Sequence, residues 1–243
     1  MYYYSYSYLI PLIVCLIFSA FASSRVKSTF AKYSKVSNRM GISGCDAAVR
    51  LLRRGGVNDV RVGSVQGTLT DHYHPTRSVV NLSDATYGNS SVAAVAVAAH
   101  EVGHVMQNKK GFVFYKIRTA LAPVVNFAPR LAMPLVFIGI LLDAYLATSQ
   151  SSDLGYHLAM AGVVLYSTSF VFTLVTLPVE LDASRRAKAM LLDEGILRED
   201  EMEGAERVLS AAALTYLASL VTSLVYFLRF LMYVMSVFGR RRD

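Results

Sequence analysis

Cysteine is scarce in this sequence, because only Cys15 and Cys45 occur among 243 residues and no C-x-x-C pair is present. Cys15 lies in an apolar run and Cys45 in a polar segment, so we do not expect them to form a disulfide. We interpret both as packing residues, which is typical of free cysteines without a metal-binding or redox motif. This usage of cysteine fits a reducing compartment.

Positive charge is absent from the front of the chain, since no lysine or arginine precedes Arg25. A secretory signal peptide carries its positive residues before its apolar core. Here the apolar core, residues 9–21, comes first and the basic residues follow it. The order excludes a cleaved signal peptide and predicts an uncleaved membrane anchor with its N-terminus outside.

Long apolar runs are the main feature that the sequence does contain. Apolar residues make up 54% of the chain, and the mean hydropathy is +0.41. They concentrate in residues 9–21, 131–147, 158–177 and 214–238, each approaching the roughly 20 residues that cross a bilayer as a helix. We therefore predict a mainly α membrane protein with three to four transmembrane helices. Arg229 interrupts the fourth run, and a full crossing would place Arg240–Arg242 outside against the charge rule. The alternative is that the segment from Val208 packs on the folded domain while the remainder lies in or crosses the membrane.

The distribution of basic residues predicts the topology. Residues 25–118 hold 14 of the 24 lysines and arginines, whereas residues 148–156 hold none. Because positive loops stay inside, we predict a cell-membrane, multi-pass protein whose catalytic domain faces the cytoplasm. The net charge of +7 is explained by basic residues near anionic lipid, and no nucleic-acid motif accompanies it.

These runs also divide the chain. The predicted parts are an N-terminal anchor (1–24), a first catalytic part (25–120), a transmembrane hairpin (121–177), a second catalytic part (178–208), and a C-terminal hydrophobic helix with a basic tail (209–243).

The segment HEVGH, from His100 to His104, carries the chemistry. Residues i and i+4 lie on one face of a helix, so both imidazoles can bind one zinc ion while Glu101 acts as general base on an activated water. Asn89, Ser90 or Ser91 can cap this helix. The Val and Ala residues before the motif predict a buried helix, and we expect Gly103 to leave room beside the metal.

The third zinc ligand has to come from elsewhere in the chain. A metzincin would have glycine and histidine soon after the motif, but Gln107 and Lys110 stand there instead. We predict Glu180, in the segment LPVELDASRRAKAMLL, as the ligand of a zincin-like domain. Asp182 would accept the ring N–H of a ligand histidine.

The region before the active helix predicts a small β element. A helix capped by Asp46 precedes a strand-like stretch at 57–65, a turn at Gln66 and Gly67, and a second strand, RSVVNLS. An edge strand there would receive an extended substrate by strand addition, unless the two strands are an ordinary hairpin. Three residues are candidate donors to the oxyanion: His72, Tyr73 and Tyr216. A zinc ligand from His72 or His74 remains an alternative.

Four segments in this order, LTDHYHPTRSVVNLS, SVAAVAVAAHEVGHVMQ, TLPVELDASRRAKAML and VLSAAALTYLA, resemble the bacterial membrane neutral zinc metallopeptidases of the YugP type. The resemblance covers nearly the whole chain and implies a zinc-dependent membrane peptidase. His74 departs from it, since the family has aspartate there. The layout is also similar to heat-shock membrane proteases and CAAX prenyl proteases, which carry an aspartate where this chain has Ser184.

We therefore predict a membrane-bound endopeptidase with one Zn²⁺ per chain, acting on unfolded or extended polypeptides. Two alternatives remain, a protease for prenylated or lipid-linked peptides and a non-catalytic membrane adaptor with a structural zinc. The sequence leaves the oligomeric state undetermined.

Overall fold

The computed structural model describes residues 2–146 and 153–239. Its elements, in chain order, are α1 (Tyr2–Tyr33), α2 (Gly44–Arg54), β1 (Arg61–Val65), β2 (His72–His74), β3 (Val79–Ser83), α3 (Asp84–Tyr87), α4 (Val92–Lys109), α5 (Val113–Leu146), α6 (Leu154–Asp193) and α7 (Glu199–Gly239). The predicted class, a mainly α membrane protein with a small β element, is confirmed.

The chain forms two compact units. One, the helical unit, comprises Met1–Ile17, Ile117–Thr176 and Ala218–Asp243. The other, the mixed unit, comprises Phe18–Lys116 and Leu177–Leu217 and contains the sheet. The predicted basic tail, Arg240–Arg242, and most of the predicted basic-free loop lie outside the described residues.

Four helices of the described chain are long and apolar enough to cross a bilayer: Leu9–Tyr33, Val113–Tyr145, Leu154–Asp193 and Glu199–Gly239. Within the helical unit, α5 and α6 approach closely through glycines. A Cβ added at Gly139 would lie 2.6 Å from the carbonyl oxygen of Gly155, and one added at Gly162 would lie 2.7 Å from that of Ala132. Small residues of this kind let membrane helices pack backbone to backbone.

The mixed unit folds around one apolar core. Its residues come from α2, α4, the sheet, the C-terminal end of α6 and the N-terminal end of α7. Helix α2 buries Ala47, Ala48, Leu51 and Leu52 on one face. Its N-cap is Ser43 rather than the predicted Asp46. The Ser43 hydroxyl accepts from the backbone N–H of Asp46, whose side chain reaches back to the Ser43 backbone, so the two residues form a capping box.

The sheet has the order β1-β3-β2, with β1 parallel and β2 antiparallel to β3. The predicted edge position of RSVVNLS is therefore wrong, because β3 is the central strand. The sequence did not predict that β2 pairs with β3, His72 opposite Asn81 and His74 opposite Val79. This hairpin partner occupies one side of β3 and leaves β1 and β2 as the edges.

The first part of α7 belongs to the mixed unit up to Leu217. Val208 and Leu209 are 5% and 3% exposed, and Leu209 joins the main core. The predicted packing of the segment from Val208 on the folded domain is confirmed. The same helix continues from Ala218 into the helical unit.

Candidate metal centre

Helix α4 carries the HEVGH segment in the middle of the mixed-unit core. Its N-cap is Ser91, one of the three predicted candidates, whose hydroxyl accepts from the backbone N–H of Ala94 at 3.2 Å. Valine and alanine bury the first turns on nearly every side. The His100 and His104 rings lie on one face, with centroids 4.8 Å apart and an interplanar angle of 85°.

Gly103 lets α6 approach α4 at the motif. A Cβ at this position would lie 2.7 Å from the backbone carbonyl oxygen of Ala183, closer than real Cβ atoms come to any neighbour. The expected room beside the metal is therefore occupied by the α6 backbone. This close approach brings Glu180, three residues before Ala183, next to the two histidines.

The Glu180 carboxylate lies between the two imidazoles. Its Oε2 is 3.2 Å from His100 Nε2 and 3.5 Å from His104 Nε2. Glu180 is 1% exposed, and both histidine side chains are about one-tenth exposed. The three residues form a group whose ligand atoms all lie within 4.8 Å of one another.

This donor set fits a zinc ion. Zinc bonds to imidazole nitrogen and carboxylate oxygen at about 2.0–2.2 Å, so neighbouring ligand atoms of a tetrahedral site lie about 3.4 Å apart. The two nitrogen–oxygen distances, 3.2 and 3.5 Å, bracket that value. Two imidazoles and one carboxylate are also a set found in catalytic zinc sites, which keep the fourth position for water.

The side chain of Gln107 forms a hydrogen bond with His104 Nδ1, the ring nitrogen that faces away from the metal position. The amide nitrogen of Gln107 donates to the backbone carbonyl of Val179 at 2.7 Å and to Asp182 Oδ2 at 2.9 Å. Because both partners only accept, the amide orientation is determined, and its Oε1 faces His104 Nδ1 at 3.0 Å. Nδ1 must then carry the proton. This leaves the Nε2 lone pair of His104 directed at the metal position.

The outer nitrogen of His100 contacts a residue of α6. His100 Nδ1 lies 3.2 Å from the hydroxyl of Ser184, whose oxygen can accept a hydrogen bond from the ring N–H. Asp182, the predicted partner of a ligand histidine, instead accepts hydrogen bonds from Gln107, Arg185 and Arg186. It reaches His104 through the Gln107 amide.

Burial and nearby negative charge shift the pKa of His104 in opposite directions. Desolvation lowers its pKa, but the hydrogen bond and charge of the Glu180 carboxylate, with the charge of Glu101, raise the pKa above its ordinary value. Glu101 is itself 7% exposed. The local field therefore favours positive charge, which is also what a bound cation needs.

The predicted oxyanion donors lie in three different places. His72 has both ring nitrogens engaged on β2, with Nδ1 2.9 Å from the Thr70 carbonyl and Nε2 3.1 Å from the Asn81 amide. The Tyr73 hydroxyl accepts from Asn108 of α4 at 3.1 Å. Tyr216 is half-buried on α7.

The metal-binding group that the described residues form includes neither His72 nor His74. A tyrosine that the sequence analysis did not select, Tyr115, lies beside the histidines. Its ring centroid is 6.3 Å from that of His104, and it is 6% exposed.

Sequence reasoning also missed Gln107 and Ser184. A signal for both was present in the spacing, since Gln107 follows His104 by three residues and Ser184 follows Glu180 by four. Each therefore shares a helix face with a predicted ligand. The residue types gave no further indication, because glutamine and serine have many structural roles.

Comparisons with known proteins show which family this chain matches. The family described as "Putative neutral zinc metallopeptidase" matches residues 8–235. The "Putative membrane protease YugP" of Bacillus subtilis (strain 168) is 45% identical over 220 residues, which cover 90% of this chain and 93% of the relative. No solved structure gives a significant match.

Proposed function

Because this chain belongs to the neutral zinc metallopeptidase family, we propose that it is a membrane-bound endopeptidase with one catalytic zinc ion on His100, His104 and Glu180. The observation that supports the ligand set is its geometry, in which one buried carboxylate oxygen lies 3.2 and 3.5 Å from two imidazole nitrogens. A bound zinc would supply a Lewis acid that lowers the pKa of water and polarises the substrate carbonyl.

Glu101 is the proposed general base. It follows His100 directly on α4, and its carboxylate lies in a nearly buried position at 7% exposure. In the proposed reaction it accepts a proton from the attacking water and passes it to the leaving amine nitrogen as the peptide bond breaks.

Gln107 and Ser184 are proposed to hold the histidines. Gln107 is fully buried, and its three hydrogen bonds allow it only to accept from His104 Nδ1. Ser184 occupies the corresponding place at His100 Nδ1. Outer contacts of this kind orient the ligand rings and raise their basicity. Asp182 contributes by holding the Gln107 amide in place.

The sheet supports an extended substrate. Strand β2 forms one edge of the sheet, and its Tyr73 contacts Asn108, one turn after His104 on α4. An extended peptide that adds to this edge would lie near the histidines, and backbone pairing favours unfolded over folded protein. The surplus of basic residues in 25–118 supports a cytoplasmic position for the proposed site.

The test is degradation of an unfolded reporter protein by the full chain purified in detergent. We expect cleavage by the native protein, and loss of cleavage after chelation or in Glu101→Gln, which should still bind zinc. Glu199→Gln, an exposed glutamate at the start of α7, is the matched control and should retain activity. Full activity in Glu101→Gln would refute the assignment of the base.

The same preparation separates the two alternatives. Cleavage of prenylated peptides but not of the unfolded reporter would replace the proposed substrate class. A zinc ion with four protein ligands, measured by X-ray absorption on the inactive chain, would identify an adaptor with a structural metal.

A further inference from the structure

A cavity of about 670 Å³ lies within the mixed unit, between the end of α1 and the first half of α7. Its volume falls in the range of roughly 300–1,000 Å³ that is usual for small-molecule sites. Hydroxyl and basic side chains of α1 form one wall, and α7 forms the other. None of the proposed catalytic or ligand residues lines it, so the proposed peptidase reaction does not explain this cavity.

The α1 wall is a continuous polar face. Arg25, Thr29 and Lys32 line the cavity at a spacing of four and three residues, which places them on the same side of a helix. Lys27, between them in sequence, does not line the cavity. The positive charges of Arg25 and Lys32 therefore lie on the same side of this open cavity.

The acidic residues of the cavity already have partners. Glu203 pairs with Arg207 at 2.6 Å, and Glu206 pairs with Lys188 at 3.1 Å. Among the described side chains, no carboxylate lies within ion-pair distance of Arg25 or Lys32. The Lys32 ammonium lies instead over the Tyr33 ring, 5.1 Å from its centroid. Arg25 and Lys32 thus have no carboxylate partner among the described side chains, which favours an anionic ligand.

The location of the cavity in the chain indicates where the anion comes from. Arg25 comes four residues after the apolar run 9–21, within Leu9–Tyr33, the first of the four candidate membrane helices. On the opposite wall, Ala211 and Leu214 of α7 provide an apolar end beyond the polar face. Basic pockets beside membrane helices bind phosphate head groups, and apolar surface next to them accepts the start of the acyl chains.

We propose that this cavity binds the phosphate group of an anionic phospholipid, with Arg25 and Lys32 as the phosphate ligands. Thr29 and Ser210 offer hydroxyl donors in the same cavity. The site is independent of the proposed peptidase function, because it shares no residue with the metal centre. A phosphate-bearing anion could also come from solution, and the experiment separates the two sources.

The test is lipid retention by the full chain in detergent, measured by native mass spectrometry during titration with dioleoylphosphatidylglycerol or dioleoylphosphatidylcholine. We expect preferential binding of phosphatidylglycerol. Replacing both cations, in Arg25→Gln/Lys32→Gln, should weaken that binding by roughly thirtyfold. The charge-conserving variant Arg25→Lys/Lys32→Arg should retain most of it.

The matched control is Lys27→Gln/Lys35→Gln, which removes the same charge from exposed positions of the same region that do not line the cavity. It should bind phosphatidylglycerol like the native protein. An equal loss in both double variants, or equal binding of the two lipids, would overturn the proposal. Displacement of phosphatidylglycerol by millimolar inorganic phosphate would reassign the site to a free anion.

Discussion

The two units of this chain differ in what they expose and what they enclose. In the helical unit large apolar residues face outward, with Phe127 and Met133 65% and 61% exposed. In the mixed unit the apolar core also encloses polar groups, with Gln107 fully buried and Glu180 1% exposed. Exposed apolar surface of this extent needs a lipid environment. Buried polar groups need fixed partners, and these partners restrict the orientation of the proposed metal ligands.

Removing the Glu180 carboxylate should have the largest effect on the proposed metal site. We expect Glu180→Ala to lower zinc affinity by more than about 100-fold, since even the outer contacts of a ligand are worth about 10–100-fold. Competition with a fluorescent zinc chelator measures this affinity without reference to activity. Asp193→Ala, an exposed acid on the same helix, should leave zinc binding unchanged. Equal affinity in the two variants would remove Glu180 from the site.

A methyl group between α4 and α6 tests whether backbone contact positions the site. Because the Cβ of Gly103→Ala would meet the Ala183 carbonyl at 2.7 Å, we expect a loss of about 1–3 kcal/mol in the free energy of unfolding, typical of overpacking, together with weaker zinc binding. Thermal unfolding in detergent measures the first effect. Gly88→Ala, with open space around its Cβ and a negative φ, is the control.

Gly139→Ala tests whether overpacking in the helical unit affects zinc binding in the mixed unit. Its Cβ would clash within the helical unit, 2.6 Å from the Gly155 carbonyl. We expect a lower unfolding temperature but normal zinc affinity, in contrast to Gly103→Ala. Loss of zinc binding in Gly139→Ala would show that the metal site depends on the packing of α5 against α6.

Replacing the buried amide tests the tautomer argument. Gln107→Leu should weaken zinc binding by about 10–100-fold, because His104 loses the acceptor that keeps its proton on Nδ1. The neighbouring Asn108→Ala, which removes the contact with Tyr73, should retain zinc. Unchanged affinity in Gln107→Leu would contradict a positioning role for the amide.

Ser184→Ala should give the smallest effect. The variant removes one neutral hydrogen bond at His100 Nδ1, with a 3.2 Å contact, and such bonds contribute about 0.5–1.5 kcal/mol. We expect a two- to tenfold loss of zinc affinity on that basis. Ser184→Thr retains the hydroxyl and should restore much of the binding.

The membrane class and the metal motif could be predicted from the sequence because both depend on local periodicity. Four helices built around the apolar runs are long and apolar enough to cross a bilayer, and two histidines four residues apart share a helix face whatever surrounds them. Glu180 could be nominated as a partner, because it is the acid that starts the polar segment after the third run.

The strand order, by contrast, could not be predicted from alternation. Residues 72–74 are too short to give a periodic signal, so alternation does not identify β2. With β2 paired to β3, the strand before α4 became central. The Ser43 cap was also missed, since Ser43 and Asp46 stand at the two ends of one capping box.

The sequence by itself determined that two imidazoles face one way from a buried helix and that the chain contains membrane-spanning segments. Both properties arise within single elements and need no knowledge of their neighbours. Only the tertiary structure decided which backbone fills the space at Gly103 and which side chains form hydrogen bonds with the Nδ1 atoms of the two histidines. Those contacts join α4 to α6 across about 80 residues of sequence, and they depend on how closely two helices approach, a property of packing that no local pattern contains.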